Sequence, residues 1–401
     1  MIVGSTRKKF LAGNRFLSYS SNSVSMASSV SRQYVGFSKI NLRATAGITA
    51  MAMAMATTTG RTTSTTLVWK RAFFSSSSSK FSGASGSSTN SSKLLDSFFK
   101  YNISIAYQPK DRDSEQKGTF FQQQGKNLGS SLSPTGEDNY VIGFNNLENS
   151  IIIGVADGVG GWSELGYDSS YISRELCEKL KKFFEIGNYN GDNKKLLESS
   201  FNEILKEEKV QVGGTTICFG TINSKGKLDV TNLGDSWFGV FRPIINLGNN
   251  RDIRFNCIFQ SKEQTHGFNT PYQLSIIPKS ILEASELQGK RYIQDKPSDA
   301  QDYQQFNLQK GDIIMFATDG VTDNVCTDDI SNFLTDEFNE NKVEDETSLL
   351  KINKHFVTKV NKLSRDHKYP SVFAQELSKL TGQAYTGGKY DDITVVMVQV
   401  S

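Results

Sequence analysis

Three aspartates stand at the ends of apolar runs, and this pattern constrains the fold more than any other feature of the chain. They are Asp157 after residues 150–156, Asp319 after residues 312–318, and Asp391 before residues 392–398. Each run reads as a buried strand, so a rigid sheet can direct the three carboxylates to one point. Converging carboxylates repel each other and take up protons unless a cation neutralises them. The sequence therefore predicts a metal site.

The charge of the chain is divided between two unlike parts. Residues 1–95 contain twelve Lys and Arg residues and no acid, the first acid being Asp96. The remainder holds 33 basic and 42 acidic residues, a net charge of −9. An acidic domain of this kind does not suggest a nucleic-acid partner.

The acid-free N-terminal part is typical of a mitochondrial transit peptide, because it is rich in Ser and Thr and carries arginines along its length. Arg71 lies two residues before an expected cut after Phe73, so we expect a transit peptide at 1–73 and a location in the mitochondrial matrix. A disordered Ser-rich tail that merely lacks acids is the alternative. The apolar stretch 44–56 is shorter than the roughly 20 residues that a bilayer requires, and no integral membrane span is expected.

The rest of the chain is organised as a junction and one large domain. Residues 74–100 are Ser-rich without apolar periodicity, and are predicted to form a flexible junction. Residues 101–401 are enough for one α/β domain with strands in hairpins and helices in pairs, which favours a sandwich over a wound βαβ sheet. Residues 264–305, interrupted by prolines, are expected to be irregular. Four widely spaced cysteines indicate neither a zinc knuckle nor a disulfide framework.

Further acidic motifs surround the three aspartates in the sequence. Two of the aspartates are followed by glycine, which lets a backbone approach a metal or phosphate closely. The other motifs are the pair Glu137-Asp138 and the segment that contains Asp235. Oxygen ligands of this kind suit Mg²⁺ or Mn²⁺, and none of the three histidines lies beside these motifs.

Six motifs in order over about 300 residues resemble one known family, the metal-dependent protein phosphatases of type 2C. They are GEDNY (136–140), GVADGVGGW (154–162), GGTT (213–216), NLGDSW (232–237), FATDGVTDN (316–324) and YDDITVVMV (390–398). The second motif and the stretch QTHGFNTPYQL (264–274) are similar to the mitochondrial branch of that family. The resemblance covers residues 101–401.

The resemblance implies a four-layer α/β sandwich, in which two central, mainly antiparallel β-sheets are flanked by pairs of helices. It also implies two Mn²⁺ or Mg²⁺ ions at one end of the sandwich, with a third ion in some relatives. The implied metal ligands are Asp157, which bridges both ions, the carbonyl of Gly158, Asp319, Asp391, Glu137 and Asp138. Asp235 and Asp323 match carboxylates around the third ion.

The activity implied is hydrolysis of phosphoserine and phosphothreonine in mitochondrial proteins, by in-line attack of a water that the metal ions activate. Asp157, Asp319 and Asp391 act through that water, and the implied partners include enzymes of ubiquinone synthesis and other metabolic enzymes. Two departures are Val159, where many relatives have a histidine acid, and Ser133, where many have a phosphate-binding arginine. Two alternatives stay open: a catalytically weak phosphoprotein-binding regulatory module, and a hydrolase of small phosphate esters.

Overall fold

The computed structural model describes residues 68–69, 99–110, 133–187, 191–245, 253–287, 292–341 and 346–401. Apart from residues 68–69 and 99–100, the expected transit peptide (1–73) and junction (74–100) lie outside these ranges.

A six-stranded antiparallel sheet forms one half of the β-structure. In spatial order its strands are β1 (Val68–Trp69), β2 (Tyr101–Gln108), β15 (Ile393–Val400), β14 (Ile313–Ala317), β8 (Trp237–Ile245) and β9 (Ile253–Gln260). Strand β15 lies in the middle of this sheet, paired with β2 from Ile393–Gln108 to Val400–Tyr101. Segments from opposite ends of the domain are thus neighbours.

A five-stranded antiparallel sheet forms the other half. In spatial order its strands are β13 (Gln301–Asn307), β7 (Lys227–Leu233), β6 (Ile217–Ile222), β4 (Ser150–Asp157) and β3 (Asp138–Asn145). Two short pairs accompany it, β5 (Gly213–Thr215) with β12 (Leu274–Ile276) and β10 (Thr265–Gly267) with β11 (Thr270–Pro271). The β3–β4 hairpin pairs Asp138 with Asp157, so two predicted site residues are neighbours across the hairpin.

Strand β4 is buried on both faces, which explains its continuous apolar run. Alternate residues of a strand point to opposite faces of the sheet. Ile151, Ile153 and Val155 enter the core between the two sheets. Ile152 and Ala156 instead pack among helical side chains on the other face. The five-stranded sheet is therefore covered on both sides.

Pairs of helices complete the outer layers. Helices α2 (Ser169–Glu185) and α3 (Asn193–Glu207) cover the five-stranded sheet, and α6 (Thr327–Glu340) and α7 (Glu346–Ser364) cover the six-stranded sheet. The shorter helices are α1 (Gly161–Glu164), α4 (Lys279–Leu287), α5 (Asp319–Thr322) and α8 (Val372–Thr381), with a 3₁₀ turn at Pro297–Asp299. The described residues thus form the two antiparallel sheets with flanking helices that the sequence predicts. None of their helices is long and apolar enough to cross a bilayer.

The prediction that residues 264–305 are irregular is wrong: besides the short strands β10, β11 and β12, this segment contains helix α4 and strand β13. Helix α4 begins directly after Pro278, so this proline precedes the helix and does not break it. Strand β13 lies at a sheet edge, with a register shift between Tyr303 and Phe306. Its residues are mostly polar and exposed, and the alternation that marks a half-buried strand is therefore missing.

Truncation of a central core side chain should test this packing. Ile153 is fully buried between the sheets, so Ile153→Ala should lower the free energy of unfolding by about 2–5 kcal/mol through lost burial and an unfilled cavity. Leu147, in the turn between β3 and β4, is 88% exposed, and Leu147→Ala should change it by less than about 0.5 kcal/mol. Urea unfolding of the full chain, followed by circular dichroism, measures both. Equal effects of the two substitutions would contradict the layered core.

Candidate metal centre

Both sheets contribute to one acidic cluster. Asp157 is the last residue of β4, in the five-stranded sheet. Asp319 is the first residue of α5, two residues beyond β14, and Asp391 lies two residues before β15. Because β14 and β15 are adjacent and antiparallel, these two aspartates flank the same end of the six-stranded sheet. The Asp157 side chain lies close enough to that of Asp319 to lower the pKa of Asp319, and the charges of Asp319 and Asp391 raise the pKa of Asp157.

The backbone of Asp157 is held by the short strand β5 and the residue after it. The amide of Thr216 donates to the carbonyl of Asp157 at 2.9 Å, and the hydroxyl of Thr215 donates to the same carbonyl at 2.9 Å. The amide of Asp157 donates to the hydroxyl of Thr216 at 3.2 Å. These bonds fix the point from which the Asp157 carboxylate projects.

The glycines after two of the aspartates are required by close backbone packing. A β-carbon on Gly158 would lie 2.2 Å from the carbonyl oxygen of Ser169, and one on Gly320 would lie 2.0 Å from that of Asp392. Ser169 begins α2 and Asp392 directly precedes β15, so neither backbone oxygen can move without a shift of the main chain there. Both Asp-Gly pairs therefore serve the assembly of the site, whatever the cluster binds.

Asp138 has a buried oxygen that the described residues leave without a donor. The hydroxyl of Thr318 donates to Oδ2 of Asp138 at 2.8 Å, whereas Oδ1 has no hydrogen bond of good geometry in the described part of the chain, and the nearby hydroxyl of Thr394 acts only to lower the pKa of Asp138. Burial raises the pKa of Asp138 well above its usual range, and the charge of Asp392 adds to this. An unsatisfied buried carboxylate oxygen of this kind fits a ligand for a cation.

Glu137 has a different environment from its neighbour in sequence. Its carboxylate accepts a hydrogen bond from the hydroxyl of Ser163, in α1, and its backbone carbonyl accepts from the amide of Gly158 at 3.1 Å. The hydroxyl of Ser173, in α2, donates to the same carbonyl at 2.8 Å. Glu137 thus connects the aspartate hairpin to the helices beside it.

Burial and mutual repulsion raise the pKa values of several carboxyl groups of the cluster. Burial, reinforced by the charges of Asp319 and Asp138, raises the pKa of Asp157 well above its usual range. Burial and Asp319 raise the pKa of Asp235 to about 8 and that of Asp391 to about 6. The pKa of Asp323 is also raised well above its usual range by burial and by Asp319.

Lys389, which sequence reasoning did not single out, lies inside the cluster. Its Nζ donates to Oδ2 of Asp319 at 2.7 Å, forms an ion pair with Asp323, and lies 3.8 Å from Oδ2 of Asp391. Burial alone would lower the pKa of Lys389 and raise that of Asp319, but their attraction prevails and shifts both in the opposite direction. The sequence feature that could have pointed to Lys389 is its position two residues before Asp391.

The pKa values of several clustered carboxyl groups are raised, whereas that of Asp319 is lowered, and Lys389 bridges Asp319 and Asp323. Within the ranges that the structure describes, no group of three or more His, Cys, Asp or Glu side chains is arranged to hold a metal ion. The all-carboxylate donor set and the orphaned oxygen of Asp138 nevertheless fit a hard divalent cation. Binding of such an ion requires the carboxyl groups to release their protons.

The two positions that depart from the type 2C pattern have structural contacts. The amide of Val159 donates to the carbonyl of Gly214 at 2.9 Å, and its hydrocarbon side chain carries no proton to transfer. The hydroxyl of Ser133 is buried, 2.6 Å from that of Thr135 and 3.4 Å from the carbonyl of Asp138. Ser133 therefore supports the start of β3.

The pKa shifts predict how the metal-free protein responds to pH. A carboxyl group whose pKa is higher in the folded than in the unfolded chain stabilises the fold at low pH, and this contribution is lost as the pH rises to the folded pKa. Since Asp235 has a folded pKa of about 8, the protein in EDTA should lose of the order of 2 kcal/mol between pH 6 and 8 from this group. Thermal melts at both pH values measure the loss.

Asp235→Asn is the matched variant for this prediction, because the amide cannot ionise. It should flatten the dependence on pH in EDTA, and saturating Mn²⁺ should reduce the loss in the unaltered chain. A melting temperature in EDTA that rises from pH 6 to pH 8 would show that the carboxyl groups are not held protonated.

The comparison with known proteins agrees with this architecture. The chain is 48% identical over 338 residues to Protein phosphatase 2C homolog 7, mitochondrial, of Saccharomyces cerevisiae, over 82% of this chain and 92% of that protein. It is 33% identical over 267 residues to Protein phosphatase PTC7 homolog fig of Drosophila melanogaster, over 66% of this chain and 77% of that protein.

Among solved structures, the photosystem II phosphatase PBCP matches with a TM-score of 0.53 and 24% identity, over 75% of this chain and 99% of that one, and supports the fold. No protein-family model matches the chain. The identity and coverage of the yeast relative decide the assignment. The chain belongs to the protein phosphatase 2C family of serine/threonine protein phosphatases.

Proposed function

We propose that this serine/threonine phosphatase uses the acidic cluster to hold two divalent ions, Mn²⁺ or Mg²⁺, and hydrolyses phosphoserine and phosphothreonine in mitochondrial matrix proteins. The observation that carries the proposal is the meeting of buried carboxylates from both sheets, with Oδ1 of Asp138 lacking a donor among the described residues. Such a set has a high free energy without cations. Bound divalent ions would lower this free energy by offsetting the negative charges.

The proposed ligands are the residues already assigned by resemblance. They are Asp157, the carbonyl of Gly158, Asp319, Asp391, Glu137 and Asp138. When bound, a pair of divalent ions lowers the pKa of water to about 7 and offsets the negative charge of a phosphate ester. This chain's own residues hold the carboxylates in place and exchange protons for metal, so metal affinity should rise with pH.

Val159 bears on the rate of the reaction. A hydrocarbon side chain cannot protonate a leaving alkoxide, and general acid catalysis typically contributes 10²–10⁴-fold. We therefore expect slower turnover than in an otherwise equal site with a histidine at this position. This consideration also favours the second candidate, a regulatory module that binds phosphoproteins on the same fold with little catalysis. A hydrolase of small phosphate esters is the third.

We propose the mitochondrial matrix as the location, with a transit peptide at 1–73, a flexible junction at 74–100 and the phosphatase domain at 101–401. The acid-free leader supports this, and the yeast relative is named mitochondrial. The proposed substrates are phosphorylated metabolic enzymes, including those of ubiquinone synthesis. This substrate class follows from the resemblance to the mitochondrial branch.

A phosphatase assay with an Asp157 variant tests the proposed chemistry. The full chain should release phosphate from phosphoserine and phosphothreonine peptides with Mn²⁺, and should lose this activity in EDTA. Asp157→Asn weakens a proposed bridging ligand and should lower kcat/KM by ~100-fold or more, since even groups that only orient metal ligands are worth 10–100-fold. Asp328→Asn, at an exposed position in α6, is the control and should keep full activity.

Each alternative has its own outcome in that assay. Calorimetric binding of phosphopeptide without turnover at saturating Mn²⁺ would support the regulatory module. Release of phosphate from p-nitrophenyl phosphate but from no phosphopeptide would support the small-ester hydrolase. Equal activity of the unaltered chain and Asp157→Asn would remove the metal-based mechanism.

Import into isolated mitochondria tests the proposed leader. The imported chain should be shortened, with Phe74 as its first residue in N-terminal sequencing, and should resist external protease. Arg71→Ala removes the arginine before the expected cut and should abolish or shift that cut without preventing uptake. Recovery of the full-length chain outside the organelle would favour the Ser-rich tail instead.

A further inference from the structure

Lys389 is fixed in the cluster by its backbone as well as by its ammonium group. The amide of Lys389 donates to Oδ1 of Asn324 at 2.9 Å, and its carbonyl accepts from Nδ2 of Asn324 at 2.8 Å. The same Nδ2 donates to the carbonyl of Gly320 at 2.9 Å. Asn324 is 1% exposed. The lysine is therefore anchored to the turn that carries Asp319.

The ammonium group has an acceptor for each of its three hydrogens. Nζ donates to Oδ2 of Asp319 at 2.7 Å, to Oδ1 of Asn269 at 3.0 Å, and to Asp323. The ring of Phe373 lies beneath it, with Nζ 5.3 Å from the ring centroid. The Lys389 side chain is only 15% exposed. Its position is thus determined from several directions.

Nζ occupies the space that a cation bridging Asp319 and Asp323 would need. Mn²⁺ and Mg²⁺ bind carboxylate oxygens at roughly 2.0–2.2 Å, so an ion held by both residues would lie where the ammonium group now lies. A lysine and a divalent ion cannot share that position. The lysine supplies one positive charge there and cannot dissociate.

We propose that Lys389 is a built-in cation that occupies the position between Asp319 and Asp323, excludes a divalent ion from it, and preorganises the site before metal binds. This inference rests on the proposed metal-dependent function and adds a positioning residue to it. Asp319 stays in the proposed ligand set together with Asp157. Asp323 then forms an ion pair with Lys389 and does not bind metal.

The experiment measures Mn²⁺ bound per chain at saturation, by equilibrium dialysis and elemental analysis of the full-length protein. Lys389→Met, which keeps a long side chain without the charge, should bind one more Mn²⁺ than the unaltered chain. The double variant Lys389→Met/Asp323→Asn should return to the unaltered number. Lys368→Met, at an exposed position, is the matched control and should not change the number.

Asp323→Asn alone tests the proposal even if Lys389→Met fails to fold. Because Lys389 already occupies the position, the single variant should bind as many Mn²⁺ ions as the unaltered chain. Loss of one ion in Asp323→Asn would overturn the proposal, since Asp323 would then be a metal ligand. An unchanged Mn²⁺ number in a folded Lys389→Met would overturn it as well.

Thermal melts add a readout that does not depend on activity. In EDTA, Lys389→Met should melt lower than Lys368→Met, because its carboxylates have lost their cation, and Mn²⁺ should raise its melting temperature more. Equal melting temperatures in EDTA would contradict preorganisation. If the unaltered chain binds no Mn²⁺ and releases no phosphate, the proposed function itself fails. If the unaltered chain binds Mn²⁺ and releases phosphate but the expected effects of Lys389→Met are missing, only the inference about Lys389 fails.

Discussion

Repulsion between buried carboxylates is the interaction on which the rest of this structure depends. Two unit charges 4 Å apart interact by about 4 kcal/mol at an effective dielectric constant of 20, and the charges of several buried carboxyl groups act on one another where the two sheets contribute Asp157 and Asp319. Burial and this repulsion raise the pKa of Asp157, whereas the ammonium group of Lys389 lowers that of Asp319. Because this electrostatic repulsion is unfavourable, other interactions must stabilise the fold.

That stability comes from three apolar layers, one between the sheets and one under each pair of helices. The acidic cluster lies at the ends of strands whose positions these apolar layers fix. Backbone contacts then leave the aspartates little freedom: Thr216 bonds the main chain of Asp157, Gly158 packs against Ser169, and Asn324 ties Lys389 to Gly320. Precise placement of the charges is thus a property of the scaffold.

Much of the scaffold could be predicted from the sequence, because buried strands and amphipathic helices leave periodic signals. The runs ending at Asp157 and beginning after Asp391 are strands β4 and β15 as expected, and the helices lie in pairs over each sheet as expected. Helix α4 and strand β13 were missed because prolines and exposed polar residues conceal their pattern.

The convergence of the three aspartates was also predictable, since each follows or precedes an apolar run. The ion pairs of Lys389 were not, because they join residues about 70 positions apart through a long, flexible side chain. The bond from Ser163 to Glu137 was hidden for a similar reason, since α1 is a single turn that leaves no periodic signal. Local patterns reveal elements, whereas contacts between side chains of distant elements depend on the tertiary fold.

The central place of β15 has a consequence for shortened forms of the protein. Residues 393–400 separate β2 from β14, and the segment just before them carries Asp391 and Lys389. A proteolytic or splice product without this segment would lose the middle of a sheet and part of the acidic cluster together. Such a fragment would be inert and prone to aggregation through its two newly exposed strand edges, and no partially active intermediate form is expected.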